Sequence, residues 1–284
     1  MNDPSNSSSG KGSYWLSVFS LSQREIVRFL RQRTRVVGAL GQPVIFWVLF
    51  GAGLYGSFQP PEWASADMTY QEYFFPGVAV MILLFTAIFS TISIIEDRRD
   101  GFLQGVLVSP VPRSVIVFGK LFGGTILAVG QAILFLIFGF CLHWFGLAPE
   151  IQLNLTVLDW VAVLSFMCLL GLTLTGLGYV IAWPMSSTQG FHAIMSVFLL
   201  PMWLLSGAIF PVGSSGWLAW VMWINPLTYG VAGLRRLMYS GSISPDAAGL
   251  PGLVLSLTIT ILFCVTCVVV ATLLTNRRSA LNTR

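Results

Sequence analysis

Residues 74–95 read FFPGVAVMILLFTAIFSTISII and run directly into Glu96-Asp97-Arg98-Arg99-Asp100-Gly101. Twenty-two residues without a charge are enough for a helix to cross a hydrocarbon core, which takes about 20. The charges behind them mark where such a helix leaves the apolar phase. The rest of the chain follows the same rule: of 284 residues, 55% are hydrophobic and 9% are charged, against roughly 25% charged in soluble domains. The apolar runs lack the period-two alternation of outer-membrane strands. The composition therefore implies an all-α integral membrane protein.

Five further runs have the length of a span, so the expectation is six membrane helices at about 36–58, 74–95, 115–140, 160–182, 191–210 and 253–275. Ahead of them, residues 15–35 carry Arg24, Arg28, Arg31 and Arg35 at helical spacing, beside Phe19, Ile26, Phe29 and Leu30. That pattern fits an amphipathic interface helix with its guanidinium groups facing anionic lipid, or a basic run that only sets orientation. Residues 1–13 are polar, have no signal-peptide core, and read as a disordered cytoplasmic tail. Residues 14–284 read as one membrane domain.

The basic residues sort by side. Lys11, Arg24, Arg28, Arg31, Arg33, Arg35, Arg98, Arg99, Arg113, Lys120, Arg277, Arg278 and Arg284 fall on one face of a six-span layout, leaving Arg235 and Arg236 on the other. The positive-inside rule makes the first face cytosolic, with both termini. The net charge of +4 thus reports topology and not a nucleic-acid surface. Arg235 and Arg236 are expected to snorkel to outer head groups or to pair with an acidic residue of a facing chain.

Several functions lack their residues. There is no G-x-x-x-x-G-K-[ST] loop; Gly119-Lys120 merely sits at the mouth of a span. His143 and His192 are expected at opposite faces, and no acidic pair falls within a span as a proton-driven carrier would need. Cys264 and Cys267 form a CxxC without a second pair and, like Cys141 and Cys168, read as small hydrophobes. No metal or cofactor is called for. The few polar residues inside spans, Gln42, Thr91, Ser93, Gln131, Thr173 and Thr175, together with the small-residue pairs Gly119/Gly123 and Gly171/Thr175, read as packing positions. Pro43 and Pro201 are candidate kinks.

Residues 211–251 are too apolar for a plain loop, and 216–230 too short to cross, so a pair of re-entrant helices between spans five and six is expected. Trp217, Trp220 and Trp223, at every third residue, stripe one side of the first of them, as an aromatic belt or as substrate contacts.

Two motifs carry a family resemblance. The elbow of residues 96–113, closing with Ser109-Pro110-Val111-Pro112-Arg113, resembles the cytoplasmic coupling segment of the type-two ABC export permeases, the group of drug-resistance and lipo-oligosaccharide exporters. Leu205-Ser206-Gly207-Ala208-Ile209-Phe210-Pro211, Asn225-Pro226-Leu227-Thr228-Tyr229 and Arg235 are similar to that family's signature. The resemblance implies a helix in the elbow that docks in a groove of a separate nucleotide-binding subunit, through Glu96, Asp97, Arg99, Gly101, Phe102, Leu103, Leu107, Pro110 and Arg113. In the residues themselves, Gly101 can end the incoming helix, Phe102, Leu103, Val106 and Leu107 form an apolar stripe, and Pro110 and Pro112 stop it. It also implies an external gate within 205–251, framed by Ser206, Gly207, Phe210, Pro211, Asn225, Pro226, Tyr229 and Arg235.

On that resemblance the chain is a non-enzymatic permease subunit in the bacterial inner or plasma membrane. Two copies of an ATPase subunit bind the ATP and Mg, and a second permease, identical or related, completes the complex among membrane lipids. An amphiphilic drug, lipid or lipid-linked glycan is moved outward. The same elbow would also suit a non-transporting anchor or assembly subunit, and a membrane-embedded lipid-modifying enzyme is a further alternative.

Overall fold

The uncharged run at 74–95 lies at the middle of α3 (Tyr70–Arg99), the most deeply buried of the spans. At 1.5 Å per residue its 30 residues span about 45 Å, so both ends project beyond a 30 Å hydrocarbon core. Thr69 starts it with a capping box closed by Glu72. The helix has no polar face and needs none, because 94% of its apolar window is buried, against 22% for the windows of the two outermost spans.

The computed structural model describes residues 9–54, 56–61, 63–108, 111–146, 151, 153, 155–211, 216–241, 243 and 249–281, without the side chains of 9–13 and 278–281. Among them there are helices and no strands. In chain order they are α1 (Ser9–Arg31), α2 (Arg33–Gly53), α3, α4 (Phe102–Val108), α5 (Ser114–Trp144), α6 (Val157–Ala182), α7 (Thr188–Ile194), α8 (Leu200–Trp203), α9 (Gly216–Ile224), α10 (Pro226–Met238) and α11 (Leu253–Leu281). The six spans are α2, α3, α5, α6, the composite Thr188–Ala208 and α11. Residues 1–8 of the expected tail lie outside the described residues, and α1 begins at Ser9, inside the 1–13 segment.

Helix α3 packs against α2, α5, α6 and α10, with α11 laid over α6 and α10. Helix α1 lies along α5, seated where Gly119 and Gly123 face it: a Cβ added at Gly119 would come 2.7 Å from Leu21 Cβ, and one at Gly123 2.9 Å from Glu25 Cβ. The spacing that reads as small-xxx-small thus serves a contact with α1.

The fifth span is not a regular α-helix. Two π turns, Met195–Leu199 and Leu204–Ala208, flank α8, and the backbone leaves helical geometry at Leu205 and Gly207. Pro201 lacks the amide hydrogen that a regular ladder would use, and a widened turn accommodates it. Pro43, in contrast, sits within an uninterrupted α2.

Candidate functional site

Two clusters collect the residues singled out above, one at each end of α3. At the C-terminal end, Asp97 is fully buried although its side chain is a carboxylate. It accepts from Arg24 Nη2 at 2.8 Å and from Arg24 Nη1 at 3.2 Å, and also pairs with Arg28 and with Lys120. Lys120 further donates to Glu25 at 2.7 Å and to Ser93 Oγ at 3.0 Å. Glu96 takes Arg28 at 2.9 Å, and takes Arg35. Asp100 stands 3.7 Å from Arg28. Four cations, Arg24, Arg28, Arg35 and Lys120, therefore meet four carboxylates, Glu25, Glu96, Asp97 and Asp100, which compensates the charge of a desolvated site. Burial lowers the Arg24 pKa and is the largest single influence on it. The bond to Asp97 and the charges of Asp97, Glu25 and Asp100 still leave it raised, so Arg24 stays a cation.

This network corrects the expectation for the N-terminal arginines. Arg24, Arg28 and Arg35 face the acidic end of α3 and not lipid, because two carboxylates carried out of an apolar helix need cations more than the head-group layer does. The i, i+4 spacing of Arg24 and Arg28 placed them on one face, but only packing of α1 on α5 and α3 shows what that face meets. Glu25 and Lys120 went unrecognised as partners. Their signal was the odd carboxylate within an amphipathic run and a lysine seven residues into a span.

The elbow hangs from this network. Gly101, at φ +78°, turns the chain between α3 and α4, a conformation that glycine adopts without strain. The guanidinium of Arg24 lies 3.6 Å over the Phe102 ring, so one arginine touches α3 and α4 together. Leu103 is buried in the core, and Val106 and Leu107 pack against it. Of the apolar stripe of α4, Leu103 thus turns into its own bundle, while Val106 and Leu107 are half-buried and Phe102 is exposed. Gly101, Phe102, Gln104, Gly105 and Val108 remain exposed, with Arg99 and Asp100 beside them. Ser109 and Pro110 lie outside the described residues. Arg113 donates to the Asn276 carbonyl at 3.2 Å, and Arg98 donates to the carbonyls of Trp183 at 2.6 Å and Met185 at 2.8 Å, so the ends of α11 and α6 are tied to the same region.

The second cluster lies at the N-terminal end of α3. Asn225 caps α10, accepting from the Leu227 amide at 3.0 Å and donating to the Met202 carbonyl at 2.5 Å, while Pro226 takes the first helical position. Tyr229 donates to Trp223 O at 2.8 Å and so folds α9 back on α10. Ser206 donates to Trp203 O at 2.6 Å. Gly207, at φ +77°, presents a carbonyl freed by the broken helix to two donors, Tyr73 Oη at 2.9 Å and Arg235 Nη2 at 3.1 Å. Arg235 also donates to Tyr73 O at 3.1 Å, and its guanidinium lies 4.2 Å from the Tyr73 ring and 5.5 Å from that of Trp63.

Arg235 is 2% exposed and has no ion pair among the described residues. Arg236 is also buried and donates to the carbonyls of Pro251 at 2.7 Å and Leu250 at 3.0 Å. Snorkelling to outer head groups is therefore corrected: both arginines turn inward and donate to backbone carbonyls. Phe210 is 59% exposed while Asn225 is buried against Met202, so the two do not form a constriction within the chain. Pro211 is half-buried. Trp217 and Trp220 point outward from α9.

Residues 17–239, from α1 through α10, match the family described as ABC-2 type transporter. The chain is 27% identical to a protein of Cyanophora paradoxa named transport permease ycf38, over 79% of this chain and 74% of that one. It is 29% identical to a protein of Escherichia coli K12 named multidrug ABC transporter permease YbhR, over 59% of this chain and 44% of that one, and so spans under half the length of that relative. ABC transporter G family member 20 of Dictyostelium discoideum is 24% identical over 64% of this chain and 24% of its own. With its six spans, its elbow and its broken fifth helix, the chain belongs to the ABC-2 type transporter family.

Proposed function

We propose that this chain is the membrane-spanning subunit of an ATP-driven exporter, paired with a second permease and driven by two copies of a separate ATPase at the elbow. The observation that carries the reading is the linkage of α4 through Arg24 to Asp97 and Lys120. A push on the elbow acts on α1, α3 and α5 together, because all three contribute to one buried ion network whose members cannot separate cheaply. Nucleotide in the partner would bias two packed arrangements of the bundle, and the permease itself would do no chemistry.

In this reading the elbow and both termini face the cytosol of a bacterial inner or plasma membrane, and α9 and α10 form the external, re-entrant gate region of a single domain. The docking surface in this reading is the part of the elbow that the bundle leaves open, Arg99, Gly101, Phe102, Gln104, Gly105 and Val108, with the half-buried Leu107. The multidrug naming of the Escherichia coli relative supports an amphiphilic cargo. The test is reconstitution with the ATPase encoded beside it, followed by a screen of drugs, lipids and lipid-linked glycans for stimulated ATP turnover and transport. Stimulation by one class names the cargo. Stable assembly without transport of any of them would favour the anchor reading.

A further inference from the structure

The arginines of α1 are not all used by the ion network. Arg24 and Arg28 are held by Asp97 and Glu96, but Arg31, on the same side of the helix, makes no ion pair among the described residues. These three, with Val27 and Gln32, line a cleft of about 400 Å³ where α1 breaks into α2. Gln32 stands at the N-cap of α2 without capping it, and its Oε1 is enclosed with no hydrogen-bond partner among the described residues. An enclosed acceptor of this kind is costly unless a donor reaches it. The cleft therefore offers a cation for an anion and, next to it, the half-buried Gln32 side chain, whose rotation would turn its unpartnered acceptor toward a hydroxyl or ammonium.

Its surroundings say where such a ligand comes from. Val27 lines the cleft and, with Leu16, Phe19 and Leu30, belongs to an exposed apolar side of α1. The spanning helix α2 begins at Arg33, one residue past Gln32, so the cleft sits at the edge of the bilayer with apolar surface beside it. We propose that it holds the head group of an anionic phospholipid, with the phosphodiester against Arg31 and a head-group hydroxyl donating to Gln32, as phosphatidylglycerol can. The acyl chains then cover the exposed side of α1. Phosphatidylethanolamine satisfies Gln32 but brings no net charge, and phosphatidylcholine satisfies neither, which sets the order of preference.

The full-length chain, purified and exchanged into equimolar mixtures of these three lipids, is read by native mass spectrometry for lipid retained. Phosphatidylglycerol is expected to be retained over phosphatidylcholine, and Arg31→Gln to cut that retention about fivefold, the worth of one basic residue at a charged surface. Arg33→Gln removes the same charge outside the cleft and is expected to change it less than about twofold. Gln32→Leu is expected to leave phosphatidylglycerol bound more weakly and to erase the advantage of phosphatidylethanolamine over phosphatidylcholine. Equal losses in Arg31→Gln and Arg33→Gln would mean diffuse attraction and overturn the site, as would a Gln32→Leu profile like the native one. Displacement of the lipid by inorganic phosphate would show that the ligand is a soluble anion. Arg31 is exposed and makes no ion pair among the described residues, so circular dichroism of its variant is expected to match the native chain; a loss of helix would show instead that Arg31 is structural. None of these readouts involves ATP or cargo, so the exporter reading stands or falls separately.

Discussion

Lys120 and Asp97 form an ion pair whose side chains are 4% and 1% exposed, the most enclosed pairing between two spans in the molecule's described residues. Each holds the other's charge in a place that water does not reach, and the elbow is built on top of them.

Removing one partner leaves the other buried and unpaired. Asp97→Asn is expected to destabilise the chain by about 3–5 kcal/mol, and Lys120→Met by a similar amount, because Glu25 also loses its lysine. The double variant is expected to be less destabilised than the sum, which thermal unfolding in detergent or nanodiscs measures. Additive losses would show that the two sites are energetically independent.

The two sides of α4 separate folding from coupling. Leu103→Asp puts a charge into the core and is expected to cost about 3 kcal/mol or more, lowering the yield of folded protein. Val108→Asp changes an exposed position and is expected to leave folding within about 0.5 kcal/mol of native while weakening ATPase co-purification. If Val108→Asp binds and stimulates the ATPase as the native chain does, the docking surface is elsewhere.

Arg235 holds the break in the fifth span. Arg235→Met leaves the carbonyls of Tyr73 and Gly207 short of a donor, at about 1–3 kcal/mol, and is expected to raise basal ATP turnover or leak in the reconstituted complex. Arg235→Lys keeps the charge but not the fork and is expected to fall between. Trp217→Ala, on the exposed side of α9, is expected to matter far less. Equal effects at Arg235 and Trp217 would remove the reason to place a gate there.

Close approach at Gly119 is also testable. Gly119→Val would bring its Cβ to 2.7 Å from Leu21 Cβ and is expected to lift α1 off α5. Amide hydrogen exchange along α1 reports the contact, and unchanged protection in the Gly119→Val background would contradict it.

The orientation follows from labelling. A cysteine at position 214 is expected to react with an impermeant maleimide from outside the cell, and one at position 99 only after permeabilisation. Reaction of both in intact cells, or the reverse order, would discard the six-span topology.

The existence and order of the spans were legible in the sequence, because 20 or so uncharged residues have few alternatives to crossing a membrane as a helix. So was the break at Gly101, whose residue type carries its own backbone preference. What the sequence could not determine was the destination of each charge. Arg24, Arg28 and Arg35 read equally well as facing lipid or as only setting orientation, and Arg235 toward head group or partner, since a periodic pattern identifies a face and not what lies opposite. Packing decided it: α1 seated on the glycines of α5 puts its arginines within reach of Asp97 and Glu96, and the broken fifth span opens the Gly207 carbonyl to Arg235. A desolvated charge takes the nearest group that compensates it, and which group is nearest depends on contacts between residues far apart in the chain.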